Sequence, residues 1–222
     1  MKILVTRPEP GASATAARLV TMGHEPVLAP CLAITPLPAR LPAHPAALIV
    51  TSFQAIPALP ASLHGIPVFC VGDATGGKLR AAGFSRVESA SGDAADLLRL
   101  VTSRRLAGTH VMAVGERHGL ALARQLRESG ITVLRRKVYA AKPLRALPEA
   151  ASRALRQDEI DTALFYSAET ARAFVRLAPS GTAKIMACAL SPAVALALDG
   201  LPWSKIRVAL APTEADLMAL LS

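Results

Sequence analysis

The chain has 222 residues, of which 52% are apolar and only 4% aromatic, so its core has to be built from Ala, Leu and Val without help from many rings. A formal net charge of +9, from 25 Lys and Arg against 16 Asp and Glu, favours anionic ligands. The basic residues are scattered, aromatics for base stacking are few and no nucleic-acid motif occurs; no run approaches the ~20 apolar residues of a membrane span, which sets nucleic acid and membrane aside as expected partners.

Short apolar runs alternate with amphipathic stretches along the chain, the pattern of a parallel α/β protein. The predicted strands are Ile3–Thr6, Pro26–Leu37, Ala47–Thr51, Val68–Val71, Val87–Ala90, His110–Val114, Val133–Ala141, Thr162–Tyr166, Ile185–Ala189 and Val208–Ala211. Most are apolar on consecutive positions, as strands buried on both faces are. Helical periodicity marks Ser13–Met22, Leu120–Glu128, Ala168–Leu177, Ala193–Leu198 and Glu214–Leu221. Gly23, Gly83 and Gly130 stand where left-handed helix ends are expected. The opening stretch is short for a signal peptide and is broken by Arg7 and Pro8, and the three cysteines (Cys31, Cys70, Cys188) lie far apart in apolar runs. A cytoplasmic protein with buried free thiols, and no metal site or disulfide framework, is the expectation.

The same strand and helix plan runs twice, over Met1–Arg105 and Leu106–Ser222, and in each half the second strand is long and ends near prolines. A strand longer than its sheet can leave one domain and enter another. Two such crossings would make one domain discontinuous and the other an insertion.

Strand ends carry the chemistry. They read Thr6-Arg7-Pro8, Thr51-Ser52, Gly72-Asp73-Ala74-Thr75, Ser91-Gly92-Asp93, Gly115-Glu116-Arg117, Tyr166-Ser167, Ser191-Pro192 and Pro212-Thr213-Glu214. Small residues before a helix expose N–H groups that lack intrahelical partners, and the helix dipole adds positive charge there. Any one of these turns is first of all an ordinary helix start, since Ser, Thr and Asp are common caps; their recurrence is what points to a ligand with several anionic groups. The glycines at 72, 76 and 77 fit neither a dinucleotide nor a nucleoside triphosphate loop, and no GxSxG elbow occurs. Of the five histidines, His118 alone follows a strand turn closely. Asp73, Glu116, Tyr139 and Tyr166 are the acid–base groups expected near strand ends.

In order and spacing these stretches resemble uroporphyrinogen-III synthase. They are LVTRPEP at 4–10, LIVTS at 48–52, VFCVGDATGGKLRAAGF at 68–84, SASGDAADLL at 89–98, KVYAAKP at 137–143, LFYSAETARAF at 164–174, ALSPAVALAL at 189–198 and APTEADLMALL at 211–221. The resemblance implies two flavodoxin-like parallel-sheet α/β domains joined by a two-stranded linker, with the active-site cleft between them. Domain one would be residues 1–36 plus 145–222, domain two 41–138, and the linker 36–42 and 138–146. It implies a cofactor-free, monomeric enzyme whose substrate is hydroxymethylbilane, a linear tetrapyrrole with eight carboxylates. The hydroxyl leaves, the last pyrrole ring is inverted through a spiro intermediate and the macrocycle closes. Tyr139 matches the family tyrosine that assists departure of the hydroxyl. Thr6, Arg7, Thr51, Ser52, Gly72, Thr75, Gly92, Gly115, Ser167, Ser191 and Thr213 match the turns that bind substrate. Gln54 stands where many members carry asparagine, which puts a direct role for that position in doubt. A non-catalytic two-lobed binder of a small polyanion is the alternative reading.

Overall fold

A computed structural model describes residues 1–177 and 179–221. Its contacts divide the chain into two compact units, Met1–Ala33 with Lys142–Ser222, and Ile34–Ala141.

The first unit is a five-stranded parallel sheet of β1 (Lys2–Val5), β2 (Glu25–Leu28), β9 (Thr162–Phe165), β10 (Met186–Ala189) and β11 (Lys205–Val208), in the order β11-β10-β9-β1-β2. The all-apolar triplet Ile3-Leu4-Val5 is fully buried, as a central strand covered on both faces requires. The chain runs from β1 outward to β2, then returns to the other side of β1 for β9. The switch point of the sheet therefore lies between β1 and β9. Helices α1 (Gly11–Thr21), α5 (Glu149–Arg156), α6 (Ala168–Leu177), α7 (Pro192–Leu196) and α8 (Glu214–Met218) belong to this unit. Phe165, Phe174 and Trp203 pack ring to ring, with centroids 5.3–5.8 Å apart.

The second unit holds β4 (Ala47–Val50), β5 (Val68–Cys70), β6 (Val87–Ser89), β7 (His110–Gly115) and β8 (Val133–Pro143), parallel, with β3 (Leu32–Pro36) at the edge: β3-β8-β7-β4-β5-β6. Here the switch point lies between β4 and β7. The unit's helices are α2 (Asp73–Ala81), α3 (Ala94–Arg104) and α4 (Leu120–Glu128). On one face Leu48, Val50, Val68, Leu79 and Val111 form a core with Tyr139; on the other, Ile49, Phe69, Leu97, Met112 and Leu126 form a second.

The chain passes between the units along β3 and β8. Leu37 N–H donates to Val138 at 2.9 Å and Leu144 N–H to Cys31 at 3.0 Å. Partner numbers fall as the others rise, so this pair is antiparallel.

Several expected elements shift. The single long strand 26–37 is two strands, interrupted at Ala29-Pro30-Cys31, where Pro30 has no N–H to give a ladder. The last strand is Lys205–Val208, not Val208–Ala211. It is held by its parallel register with Met186–Ala189, and the apolar run continues into a turn where Leu210 is 98% exposed. Helices α2, α3 and α5 have no counterpart among the stretches marked by helical periodicity. The first strands of the chain pair with the last ones, β1 with β9.

Candidate active site

In a parallel sheet all strand ends lie along one edge, so the expected turns of each unit share an edge of their own sheet. In the second unit β4 and β7, which flank the switch point, end at Thr51-Ser52 and at Gly115. Thr51 and Ser52 are half-buried, and the Ser52 hydroxyl accepts the Gln54 N–H at 3.3 Å, starting the 3₁₀ turn Phe53–Ala58. Gly115 is buried, and a Cβ there would stand 2.8 Å from Tyr139 Cζ and 2.8 Å from His118 Cδ2. Only a glycine lets the Tyr139 ring lie against this turn. A register shift between Val114 and Gly115 aligns Gly115 with Tyr139, and Glu116 N–H donates to the Tyr139 carbonyl at 2.8 Å. Tyr139 itself is 6% exposed.

Farther along this edge, Gly72 is the N-cap of α2, without a side chain to block the first turn, and Thr75 is buried inside that turn. Gly92 is exposed, and a Cβ on it would lie 2.0 Å from the Asp96 carboxylate. That close approach lets Asp93 and Asp96 form a capping box at the head of α3. Hydrogen bonds from Ser89 and Ser91 hold the Asp73 carboxyl below its ordinary range.

In the first unit Thr6 is fully buried, and its hydroxyl donates to the Leu164 carbonyl at 2.6 Å, tying β1 to β9. Its side chain is thus committed to the sheet. Ser167 caps α6 through Thr170 N–H at 3.1 Å, and Thr213 caps α8 through Asp216 N–H at 3.1 Å. Ser191 heads α7 without a side-chain cap bond. Arg7 lies over the Tyr166 ring, 4.0 Å from its centroid, and its Nη1 donates to Glu214 at 3.3 Å. Burial pushes the Tyr166 hydroxyl up to about 12.

The thiols offer no ready nucleophile. Burial raises Cys31 to about 12 and Cys188 to about 11, and Cys70 in the same direction. Among the described residues no group of three or more His, Cys, Asp or Glu is placed to hold a metal ion, and no helix is long and apolar enough to cross a membrane.

The sequence matches the family described as HEM4, uroporphyrinogen-III synthase HemD, over residues 13–219. The chain belongs to the uroporphyrinogen-III synthase family. Members of that family are cyclising lyases of tetrapyrrole biosynthesis. The fold is shared with a uroporphyrinogen-III synthetase from Helicobacter pylori, at 18% identity over 99% of this chain and 97% of that one, with a TM-score of 0.69. It is shared too with a mutant uroporphyrinogen III synthase from Thermus thermophilus, at 18% identity over 100% and 96% of the two chains and a TM-score of 0.56. No curated protein matches the sequence.

Three residues near the family's turns escape a reading of the sequence. Arg135 reaches three carbonyls of one turn, those of His118 (2.8 Å), Glu116 (2.7 Å) and Gly115 (3.3 Å). Its only signal is a place in the same strand, four residues before Tyr139. Thr15, in α1, meets Arg7, Tyr166 and Glu214. Gly11 makes room for Arg7. Neither carries a motif.

Proposed function

We propose that this chain performs its family's ring closure by holding hydroxymethylbilane through backbone N–H groups at the strand ends of each unit, with Tyr139 assisting departure of the hydroxyl. The observation that carries the reading is Gly115, pared to a hydrogen so that the ring of Tyr139 lies against the turn at the switch point of the second sheet.

The chemistry asks for little acid strength. Electron release from the pyrroles expels the hydroxyl and leaves a cationic azafulvene; a phenol near the leaving oxygen lends a proton or a hydrogen bond. Orientation matters more, because the last ring must attack through its substituted carbon. The eight carboxylates of the substrate give the turns their handles. Thr51-Ser52, Gly72–Ala74 and Gly115 supply N–H groups in the second unit, where the N–H groups of Thr75 and Gly92 are already given to the carbonyls of Gly72 and Val71, and Arg7, Ser167, Ser191 and Thr213 border the edge of the first. In this reading Thr6 contributes its backbone, since its hydroxyl is spent on Leu164. Buried free thiols suit a reducing cytoplasm, where we place the enzyme.

The decisive experiment supplies enzymatically made hydroxymethylbilane and separates type III from type I uroporphyrinogen. The type I isomer forms spontaneously, so the ratio is diagnostic. A large excess of type III is expected; a ratio equal to that of the uncatalysed reaction refutes the reading. Tyr139→Phe is expected to lower turnover by about tenfold to a hundredfold. The product that still forms keeps its type III excess, because folding of the substrate is left to the turns.

A further inference from the structure

Four donors in the first unit converge on one carboxylate, and that carboxylate belongs to the chain. Glu214 Oε1 accepts from Tyr166 Oη at 3.0 Å, from Thr15 Oγ1 at 3.2 Å and from Arg7 Nη1 at 3.3 Å; Arg18 stands 3.7 Å from Oε2. The cluster lies at the ends of β1 and β9, the switch point of this sheet, where parallel sheets receive their ligands.

The cation is more enclosed than the anion. The Arg7 side chain is 18% exposed and that of Glu214 40%. Arg7 is held from below by the Tyr166 ring at 4.0 Å. It is held on its flank by Gly11, where a Cβ would come within 2.5 Å of Arg7 Nε. Gly11 does not adopt a left-handed φ, so glycine serves there only to leave space for the guanidinium. Buried Tyr166 stays protonated at working pH and so remains a donor. Glu214, by contrast, opens the five-residue helix α8 and is the more exposed partner.

We propose that Arg7, Tyr166, Thr15 and Arg18 form a carboxylate subsite, masked by Glu214 in the resting protein and taken over by a carboxylate of the incoming substrate. Exchange of one carboxylate for another preserves the charge balance of the cluster and every hydrogen bond in it. Glu214 therefore acts as an internal competitor: it keeps the arginine paired when no ligand is present and weakens the grip on ligands that carry few carboxylates. The inference deepens the reading above and rests on it for the identity of the ligand.

A simple tricarboxylate, tricarballylate, tests the subsite without turnover. Calorimetric titrations at fixed ionic strength would compare the unaltered protein, Glu214→Gln, the double variant Arg7→Met with Glu214→Gln, and Glu149→Gln as a remote charge control. Removing the competing charge should tighten binding by about tenfold in Glu214→Gln. The double variant should lose that gain, and Glu149→Gln should show none. Equal binding by Glu214→Gln and the unaltered protein overturns the proposal, as does a gain that survives loss of Arg7. Should Glu214→Gln fail to melt cooperatively, Glu214→Asp replaces it. The shorter side chain keeps its charge but draws back from Arg7, and unchanged tricarballylate binding there also overturns the proposal. The isomer ratio of the unaltered protein tests the family reaction separately, so either idea can fail while the other stands.

Discussion

Gly115 and His110 stand at opposite ends of the same strand and carry opposite kinds of constraint. At Gly115 the constraint is volume. Gly115→Ala drives a methyl into the Tyr139 and His118 rings, which must move. Overpacking of this kind costs about 1–3 kcal/mol, and the displaced phenol should cost turnover beyond that loss of stability. Denaturant unfolding beside steady-state turnover at a temperature where the variant is fully folded checks both. At His110 the constraint is charge. Its ring is fully buried; Nδ1 donates to the Gly108 carbonyl at 3.2 Å, and Nε2 is a buried side-chain atom with no partner among the described residues. Burial holds the imidazole pKa below its ordinary value, against the opposing pull of the Gly108 bond. The unfolded chain, with an ordinary value near ~6.5, therefore binds the proton first. Stability is unaffected by this group above that pH, falls as the pH drops below it, and levels off once the folded value is passed. His110→Asn retains a donor toward Gly108 and removes the titration. Denaturation midpoints at pH 8 and pH 5 should differ less in His110→Asn than in the unaltered protein, and an equal difference would assign the acid sensitivity elsewhere.

Elements were legible where their own sequence decides them and illegible where a partner does. Helices α4 and α6 lie at their predicted bounds because apolar spacing and local end signals agree there. The apolar run 26–37 reads as one strand, yet Pro30 splits it, and the edge strand Lys205–Val208 is chosen by its neighbour in preference to the more apolar segment after it. The candidate turns were legible as turns. Which of their side chains are spent inside the fold was not: Thr6 on Leu164 and Arg7 on Glu214 are tertiary facts. Arg135 shows the same limit. Its fork gathers the carbonyls of Gly115, Glu116 and His118, a geometry that guanidinium can span and ammonium cannot. Arg135→Lys should lower stability by about 1–2 kcal/mol and loosen the turn against Tyr139. We expect a fall in the share of type III product at substrate saturation. A variant comparably destabilised in the core, Ile160→Val, should leave that share intact, because Ile160 precedes β9 at the end of the strand opposite the candidate turns.

At the scale of the molecule, the connection between units makes a sharp experiment available. The bonds Leu37 to Val138 and Leu144 to Cys31 share one antiparallel register. Carrying it inward pairs Ala33 with Lys142, the two residues at which the first unit breaks off. A hydrogen-bonded antiparallel pair brings its Cα atoms to about 5.5 Å, a gap that a two-residue Asn-Gly turn closes without strain. Residues 1–33 joined through Asn-Gly to 142–222 would thus keep all five strands of the first sheet. Residues 34–141 would keep β4–β7 and most of β8. Each piece retains its own buried cluster, Ile3, Val5, Leu164 and Leu217 in one, Leu48, Val50, Val68 and Val111 in the other. Both should unfold cooperatively by heat and give dispersed amide spectra. Neither alone should raise the type III yield from hydroxymethylbilane, because the proposed handles are divided between the sheets. Tricarballylate supplies the sharper readout: the first piece carries Arg7, Thr15, Arg18, Tyr166 and Glu214 together, so its Glu214→Gln form should bind the probe as tightly as the full-length variant does. A first piece that melts cooperatively yet lacks that binding would mean the carboxylate subsite needs more of the protein than the residues that touch Glu214.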